Sequence, residues 1–464
     1  MTLQASTGPE LEPSSFRDPD GRVFRWQGHF CRGITTRGVE HLQSLVDTGL
    51  YSELTSAGWL IPHDEWDANA ARGLGFERVL VPRQLNLISY PNEWCHSQLL
   101  ASADLTLRIQ QRALRHDMSM ADASAFNIQL DQGDPTLIDT LSIKRWNGLP
   151  TWDAYRQCCR QFLAPLALGH YRRMRPGSVG SPLEGPTLET ASQLLPWSSW
   201  LRPGLLVHLH LHARAQRLAP GRTRPRANGS PRRILEGLAV SLQNTLRGLT
   251  WKARASNWTS YYQSEHDSGH DYSQRKKGEV RRMLEAIAPS RVLDLGANTG
   301  EFSQLALERS GWITACDADE ECVEQLFHRV QTQRTRNLAP LVMNLMEPTP
   351  AMGWNGRERA AFHERARSDV TLVLAVVHHL CIGANLPIER LPDFFQRLSP
   401  HLIIEFVGPE DPMTQRLAGT RMALFSDYTR DRFEAAFSKH YKTIESVCLT
   451  KAGRTLYWLE RRGS

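Results

Sequence analysis

No two cysteines are spaced as CxxC, and the eight present (Cys31, Cys95, Cys158, Cys159, Cys316, Cys322, Cys381 and Cys448) form no zinc-type pattern with histidine. That excludes a disulfide framework and a zinc module as organising devices, and reduced thiols in a cytosolic chain are the expected state. Long apolar runs are also missing. The longest, near Leu372–Val377, falls far short of the roughly 18 residues that suggest a membrane span. The stretch Met1–Gly21 carries Glu10, Glu12, Asp18 and Asp20 and lacks the apolar core of a signal peptide, so a soluble, cytoplasmic protein is expected. Acidic residues are absent from Leu201–Arg233, which holds Arg202, Arg214, Arg217, Arg222, Arg224, Arg226, Arg232 and Arg233. Removing those eight from the chain's 55 basic residues leaves 47 against 49 acidic ones, so a net +6 becomes −2 outside one segment. Global basicity is therefore no argument for nucleic acid, and the arginine segment reads as a solvated linker that could also hold RNA, acidic lipid or an acidic protein.

What is present is ordinary globular material: 41% hydrophobic and 22% charged residues in 464. One core usually stops growing at about 250–300 residues, so two or three domains are expected. The composition shifts suggest a flexible N-terminus over 1–27, an α+β domain over 28–200, an arginine-rich linker and connecting helix over 201–250, and an α/β domain over 251–464. In the second of these, Arg78–Pro82 and Leu85–Tyr90 read as extended, and Ala101–His116 and Trp152–Leu166 as helical. After the linker a helical stretch Arg233–Leu249 leads into Tyr261–Lys277. From there short apolar strands alternate with amphipathic helices, the pattern of a parallel sheet covered on both faces.

The sharpest motif is RVLDLGANTGEFSQLAL, residues 291–307. Arg291–Leu295 reads as a buried strand, Gly296–Gly300 as a tight turn and Glu301–Glu308 as the start of a helix, whose free N–H groups suit an acceptor. A second strand, Trp312–Cys316, ends at Asp317, 23 residues after Asp294. A carboxylate there has lone pairs for both hydroxyls of a ribose. A nicotinamide site is not supported, because GxGxxG from Gly296 needs glycines where Asn298 and Glu301 stand. Further strands are expected at Leu341–Met343, Asp369–Val377 and His401–Phe406. Lys442–Thr450 and Arg454–Glu460 should form a hairpin about Lys451-Ala452-Gly453.

An acidic residue on the first strand followed by GxxxG resembles the first motif of class I S-adenosylmethionine-dependent methyltransferases, over about residues 255–464. The segments DASAFNIQL, LIDTLS, QFLAPLAL, LVHLHLHA, VLDLGANTGEFS and HHLCIG resemble a bacterial, nodulation-protein-like branch of that family. The resemblance implies a doubly wound, mostly parallel, seven-stranded sheet closed by a C-terminal antiparallel hairpin. It implies S-adenosyl-L-methionine as cofactor, an acceptor it does not define, and a small molecule ahead of protein or RNA. It assigns Asp294, Gly296, Asn298 and Gly300 to the methionine moiety, Asp317 to the ribose, and Asn344 with Leu345 to the adenine edge. Tyr272 and Lys277 resemble a stretch that covers the cofactor, and Tyr261 and Tyr262 are candidates for packing. Each assignment has a plainer alternative: Asp294 could cap the turn, and Asp317 the helix after it.

Methyl transfer from a sulfonium disperses charge, so the protein mainly aligns the acceptor and excludes water, and a base is needed for an alcohol or a protonated amine. His378 and His379 leave the fourth strand at the carboxyl edge of the sheet, where such ligands sit. They are the catalytic candidates, with Glu405 a lesser one. In the N-terminal half, Asp122, Asn127 and Asp139 are spaced like the catalytic loop and metal aspartate of kinase-like folds. Met120-Ala121 stands where His-Arg is usual, and Thr140-Leu141 where Phe-Gly is. An active phosphotransferase, a degenerate kinase-like recognition lobe and an unrelated α+β domain all stay open, as does a non-catalytic scaffold for the whole chain. His208, His210 and His212 would share one face on a strand, whereas on a helix only His208 and His212 are close; no metal is expected there.

Overall fold

In the computed structural model, residues 8–218, 230–253, 270–451 and 453–463 are described. The chain divides into two compact units, Thr2–Lys252 with Met352–Arg359, and Ala253–Ala351 with Ala360–Ser464.

The N-terminal unit opens with an antiparallel sheet of β1 (Glu10–Leu11), β2 (Gly21–Trp26), β3 (His29–Ile34), β4 (His63–Trp66) and β5 (Arg78–Pro82), in the order β1-β2-β3-β5-β4. Gln27 and Gly28, both at positive φ (50° and 81°), make the two-residue turn between β2 and β3. A helix, His96–Arg115, follows. Two short antiparallel pairs come next, β6 (Met118–Met120) with β9 (Ile143–Arg145) and β7 (Ile128–Asp131) with β8 (Asp134–Leu137). The remainder is helical: Tyr155–Arg172 runs through a wider turn at Cys159–Leu163, and Pro203–Leu218 and Pro231–Arg247 complete the unit.

Three expectations are corrected here. Within 1–27, Gly21–Trp26 is a sheet strand and Phe24 is fully buried, stacked on Phe76 at 5.4 Å. Within 201–250, both helices are packed, with Leu205, Leu209, Leu235, Ala239 and Leu242 buried. Arginine composition hid an apolar periodicity beneath it. Leu85–Tyr90 forms no strand. Arg222, Arg224, Arg226, Tyr261 and Tyr262 lie outside the described residues.

The C-terminal unit is a seven-stranded sheet of β10 (Arg291–Leu295), β11 (Trp312–Asp317), β12 (Leu338–Val342), β13 (Val370–Val373), β14 (His401–Val407), β15 (Tyr441–Cys448) and β16 (Arg454–Arg461). The order is β12-β11-β10-β13-β14-β16-β15. The first five strands pair in parallel, and the last two form an antiparallel hairpin whose β16 lies against β14. Leading into it, the helix His270–Ile287 buries Lys276, Val280, Met283 and Leu284 on one face. Those apolar residues join Val292, Ile313, Leu372, Ile403 and Leu456 in one core, each full burial contributing roughly 1.5–3 kcal/mol.

Two strand bounds differ from expectation. β12 begins at Leu338, earlier than Leu341. β13 stops at Val373 because Ala375 turns left-handed, at φ 56°, and the chain enters a helical turn by Val377. No described helix is long and apolar enough to cross a membrane.

Candidate active site

The carboxyl ends of β10 and β11 meet in the loop Gly296–Gly300. Gly296 and Ala297 donate their amides to the Cys316 carbonyl at 2.8 and 3.0 Å, which pins the loop to the neighbouring strand. The loop turns through positive φ at Gly296 (78°), Asn298 (52°) and Gly300 (84°). Gly300 is the N-cap of the helix Glu301–Leu307. Asp294, buried below, accepts from Ser303 at 2.6 Å, and burial raises its carboxyl to about 6.

Asp317 closes the arrangement. One carboxylate oxygen accepts from the Asn298 amide at 2.7 Å and the other from the Asp319 amide at 2.8 Å. Each oxygen can still accept another donor. Burial raises its pKa, while the backbone amides of Asp319, Asn298 and Ala318 act in the other direction. The helix Glu320–Gln333 is capped by Asp319, which accepts from the Glu321 amide at 2.8 Å; Asp317 is free of that task. Beyond β12, Met343 donates its amide to the Asp317 carbonyl, and the half-buried Asn344 side chain accepts from the Met346 amide at 3.0 Å, with Leu345 between them.

A second cluster lies at the end of β14. Glu405, fully buried, accepts from the Tyr272 hydroxyl at 2.5 Å and pairs with Lys276 at 2.7 Å. Arg454 donates to the Tyr272 hydroxyl at 2.7 Å and pairs with Asp411 at 2.7 Å. Two cations and two carboxylates leave the cluster neutral, the condition for ionic groups to survive burial. Burial acts to raise the Glu405 carboxyl, but the charges of Lys276 and Arg454 outweigh it and leave it below the usual range. Burial and the Glu405 charge push the Tyr272 phenol up. Lys276, not Lys277, faces this cluster; Lys277 pairs with Glu301.

His378 and His379 follow Ala375, their rings 4.1 Å apart. His378 is fully buried, and neither ring nitrogen has a hydrogen-bond partner among the described residues. Burial, then His379, Arg454 and Lys276, hold it neutral, well below its ordinary pKa. His379 is half-buried and lowered by burial to about 4. The sequence reading missed Lys276, Asp411 and Arg454. An Asp-Pro pair opening a helix marks Asp411, whose side chain accepts from the Met413 amide.

In the N-terminal unit, Asp122 accepts from Ser124 and Gln157 at 2.9 and 2.7 Å. The β7–β8 hairpin brings Asn127 beside the residue before Asp139, Ile138, whose amide donates to the Asn127 carbonyl at 2.8 Å. Asp139 starts a short helical turn instead of lying on a strand, and pairs with Arg32 of β3 at 2.9 Å. His208, His210 and His212 are on a helical run. His208 contacts the Tyr155 and Ser241 hydroxyls at 2.7 and 2.9 Å, and His210 those of Ser192 and Ser199 at 2.7 and 2.9 Å.

No family model matches the chain. Nodulation protein NoeA of Rhizobium meliloti (strain 1021) is 30% identical over 481 residues, spanning 99% of this chain and 98% of that protein. Among solved structures, N-methyltransferase NodS from Bradyrhizobium japonicum WM9 is similar at 13% identity over 42% of this chain and 99% of that one, with a TM-score of 0.32. The bifunctional kinase-methyltransferase WbdD is similar at 17% identity over 43% of this chain and 42% of that one, also at 0.32. The magnesium protoporphyrin IX methyltransferase ChlM from Synechocystis PCC 6803 is similar at 14% identity over 46% and 90%, again at 0.32. Structural likenesses of that depth carry no function across.

Proposed function

The chain belongs to the family of nodulation protein NoeA, and with that membership as premise we propose that it is an S-adenosylmethionine-dependent methyltransferase acting on a small-molecule acceptor. One observation carries the reading: a left-handed loop closes over Asp317, whose two oxygens each keep capacity for a further donor. That donor set suits the paired hydroxyls of a nucleoside ribose. Asn344 and Leu345 follow on the next strand end for the adenine edge. Asp294 and the loop Gly296, Asn298 and Gly300 serve the methionine moiety.

The cofactor would supply an electrophilic methyl group on a sulfonium. This chain's residues hold the acceptor in line and keep water out. His379, half-buried and neutral at pH 7, is the group able to accept a hydrogen bond from an acceptor hydroxyl and orient it, since a pKa lowered to about 4 makes it a weak base. His378 is fully buried beneath, so its role is positioning. The neutral Tyr272–Lys276–Glu405–Arg454–Asp411 cluster fixes the helix His270–Ile287 against the sheet end. The N-terminal unit serves acceptor recognition without phosphoryl transfer. The Arg32 pair on Asp139 supports the second point, because it engages one oxygen of the carboxylate a metal would need.

Two experiments test these readings. Calorimetric titration with S-adenosylhomocysteine should show binding that Asp317→Ala weakens about ten- to a hundredfold, from the loss of hydrogen bonds to a charged group. Unchanged affinity sinks the ribose assignment. Methyl-labelled cofactor and a cell extract should yield a labelled small molecule, with His379→Gln lowering its rate while leaving cofactor affinity intact. Tight cofactor binding with no labelled product favours a scaffold, and product labelled from a nucleotide phosphate in the same extract overturns the reading of the N-terminal unit.

A further inference from the structure

The helical end of the N-terminal unit carries an apolar face that its own fold does not use. From Pro203 the chain is helical to Leu218, and its inward side is set by the buried Leu205, His208, Leu209, His210 and Ala213. Val207 and Leu211 point the other way, 51% and 45% exposed and one turn apart. Just ahead of them Trp197 is 75% and Leu201 68% exposed. Val240, on the helix Pro231–Arg247, is exposed too, and with Arg202, Pro203, Gly204, Ser241 and Thr245 it lines a cavity of about 520 Å³ between the two helices. Of the fifteen large apolar residues exposed among the described ones, six (Leu194, Trp197, Leu201, Val207, Leu211 and Val240) fall here. A soluble monomer usually scatters such residues singly.

Charge decides what could cover this face. No acidic residue occurs in the sequence between Glu189 and Glu236. Arg202 and Arg214 are exposed on the same run as Leu201 and Leu211. A second copy would bring these arginines against each other. A nucleic acid would satisfy the arginines and leave Val207 and Leu211 without an apolar partner. The boundary of an anionic bilayer meets both demands, with acyl chains for the apolar residues, the headgroup level for an exposed tryptophan and phosphates for the arginines. No described helix can span a membrane, so the helix would lie on the surface.

We propose that this face, centred on Trp197, Leu201, Val207 and Leu211 with Arg202 and Arg214, docks the chain on anionic lipid membranes. The full chain should co-sediment with vesicles of equimolar phosphatidylglycerol and phosphatidylcholine, and much less with phosphatidylcholine alone. High salt should weaken binding without abolishing it, because the apolar part is not screened. Val207→Asp with Leu211→Asp should reduce binding about tenfold or more, as should Arg202→Glu with Arg214→Glu. The arginine pair changes only exposed side chains and keeps the test valid if the aspartate pair misfolds, which thermal melting reads. Failure of the parent chain to bind anionic vesicles, equal binding to neutral ones, or binding that survives both pairs overturns the proposal. So does a parent that dimerises in sedimentation velocity through residues the aspartate pair removes.

Discussion

At position 296 one methyl group decides whether the loop after β10 can close. Gly296 sits at φ 78°, and a Cβ there would lie 2.4 Å from the Val376 side chain. Gly296→Ala therefore adds backbone strain to a clash, and should cost about 1–3 kcal/mol of stability. Urea unfolding reads this directly, and an unshifted midpoint would show that Val376 yields. The need for glycine was legible in GANTG, because the turn type requires it. The partner that enforces it was not, because Val376 is 80 positions further on and no local pattern points to it. The same limit applies to the acidic run at 317–321. The sequence offers several carboxylates for one helix start, and only the geometry assigns the cap to Asp319 and turns Asp317 to the Asn298 amide instead.

At the scale of elements, the helix His270–Ile287 and strand β14 are joined by the Lys276–Glu405 pair, neither side chain reaching water. Breaking a buried pair from one side leaves an uncompensated charge, so Lys276→Met should destabilise by about 3–5 kcal/mol. Adding Glu405→Gln should recover part of that loss, a coupling that a double-mutant cycle of urea midpoints measures; strictly additive losses would mean that the two do not act as a pair. The choice of Lys276 over Lys277 could have been read in advance. Val280, Met283, Leu284 and Ile287 set the apolar phase of the helix, and only position 276 shares it. By contrast, the end of β13 was beyond reach. Leu372–Val377 is uniformly apolar, and nothing in composition announces that Ala375 turns left-handed.

Across the whole molecule, His63, His96, His208, His210 and His379 are each lowered to about 4, with burial the leading cause. Histidine in an unfolded chain titrates near about 6.5. Between those values the unfolded state binds protons that the folded state refuses, so this stability is complete above about pH 6.5 and is lost as pH falls toward about 4. Asp294, raised to about 6, works in the opposite sense with Asp18 and Asp317, both raised by burial, but His170, His212 and His378, lowered by burial, add to the five. The melting temperature should therefore fall between pH 7 and pH 5; a flat or rising profile would mean that these imidazoles are solvated. Legibility also differed between the units. Alternating strands and helices made the C-terminal sheet readable, because the parallel strands are mostly apolar runs. The short antiparallel strands of the N-terminal sheet carry less signal apiece, and arginine content made packed helices look like a connector.

The Tyr272 hydroxyl takes its proton donor from Arg454, 182 residues away and across the antiparallel hairpin. That bond spans almost the entire C-terminal unit. Pairings so distant in sequence are slow to form, since the loop entropy is spent before the contact is made. The charge balance around Glu405 is thus a property of the finished sheet. A partly assembled unit would hold Lys276 against both Glu405 and Asp411, one carboxylate in excess, and the end of β14 becomes neutral only when the closed hairpin brings in Arg454.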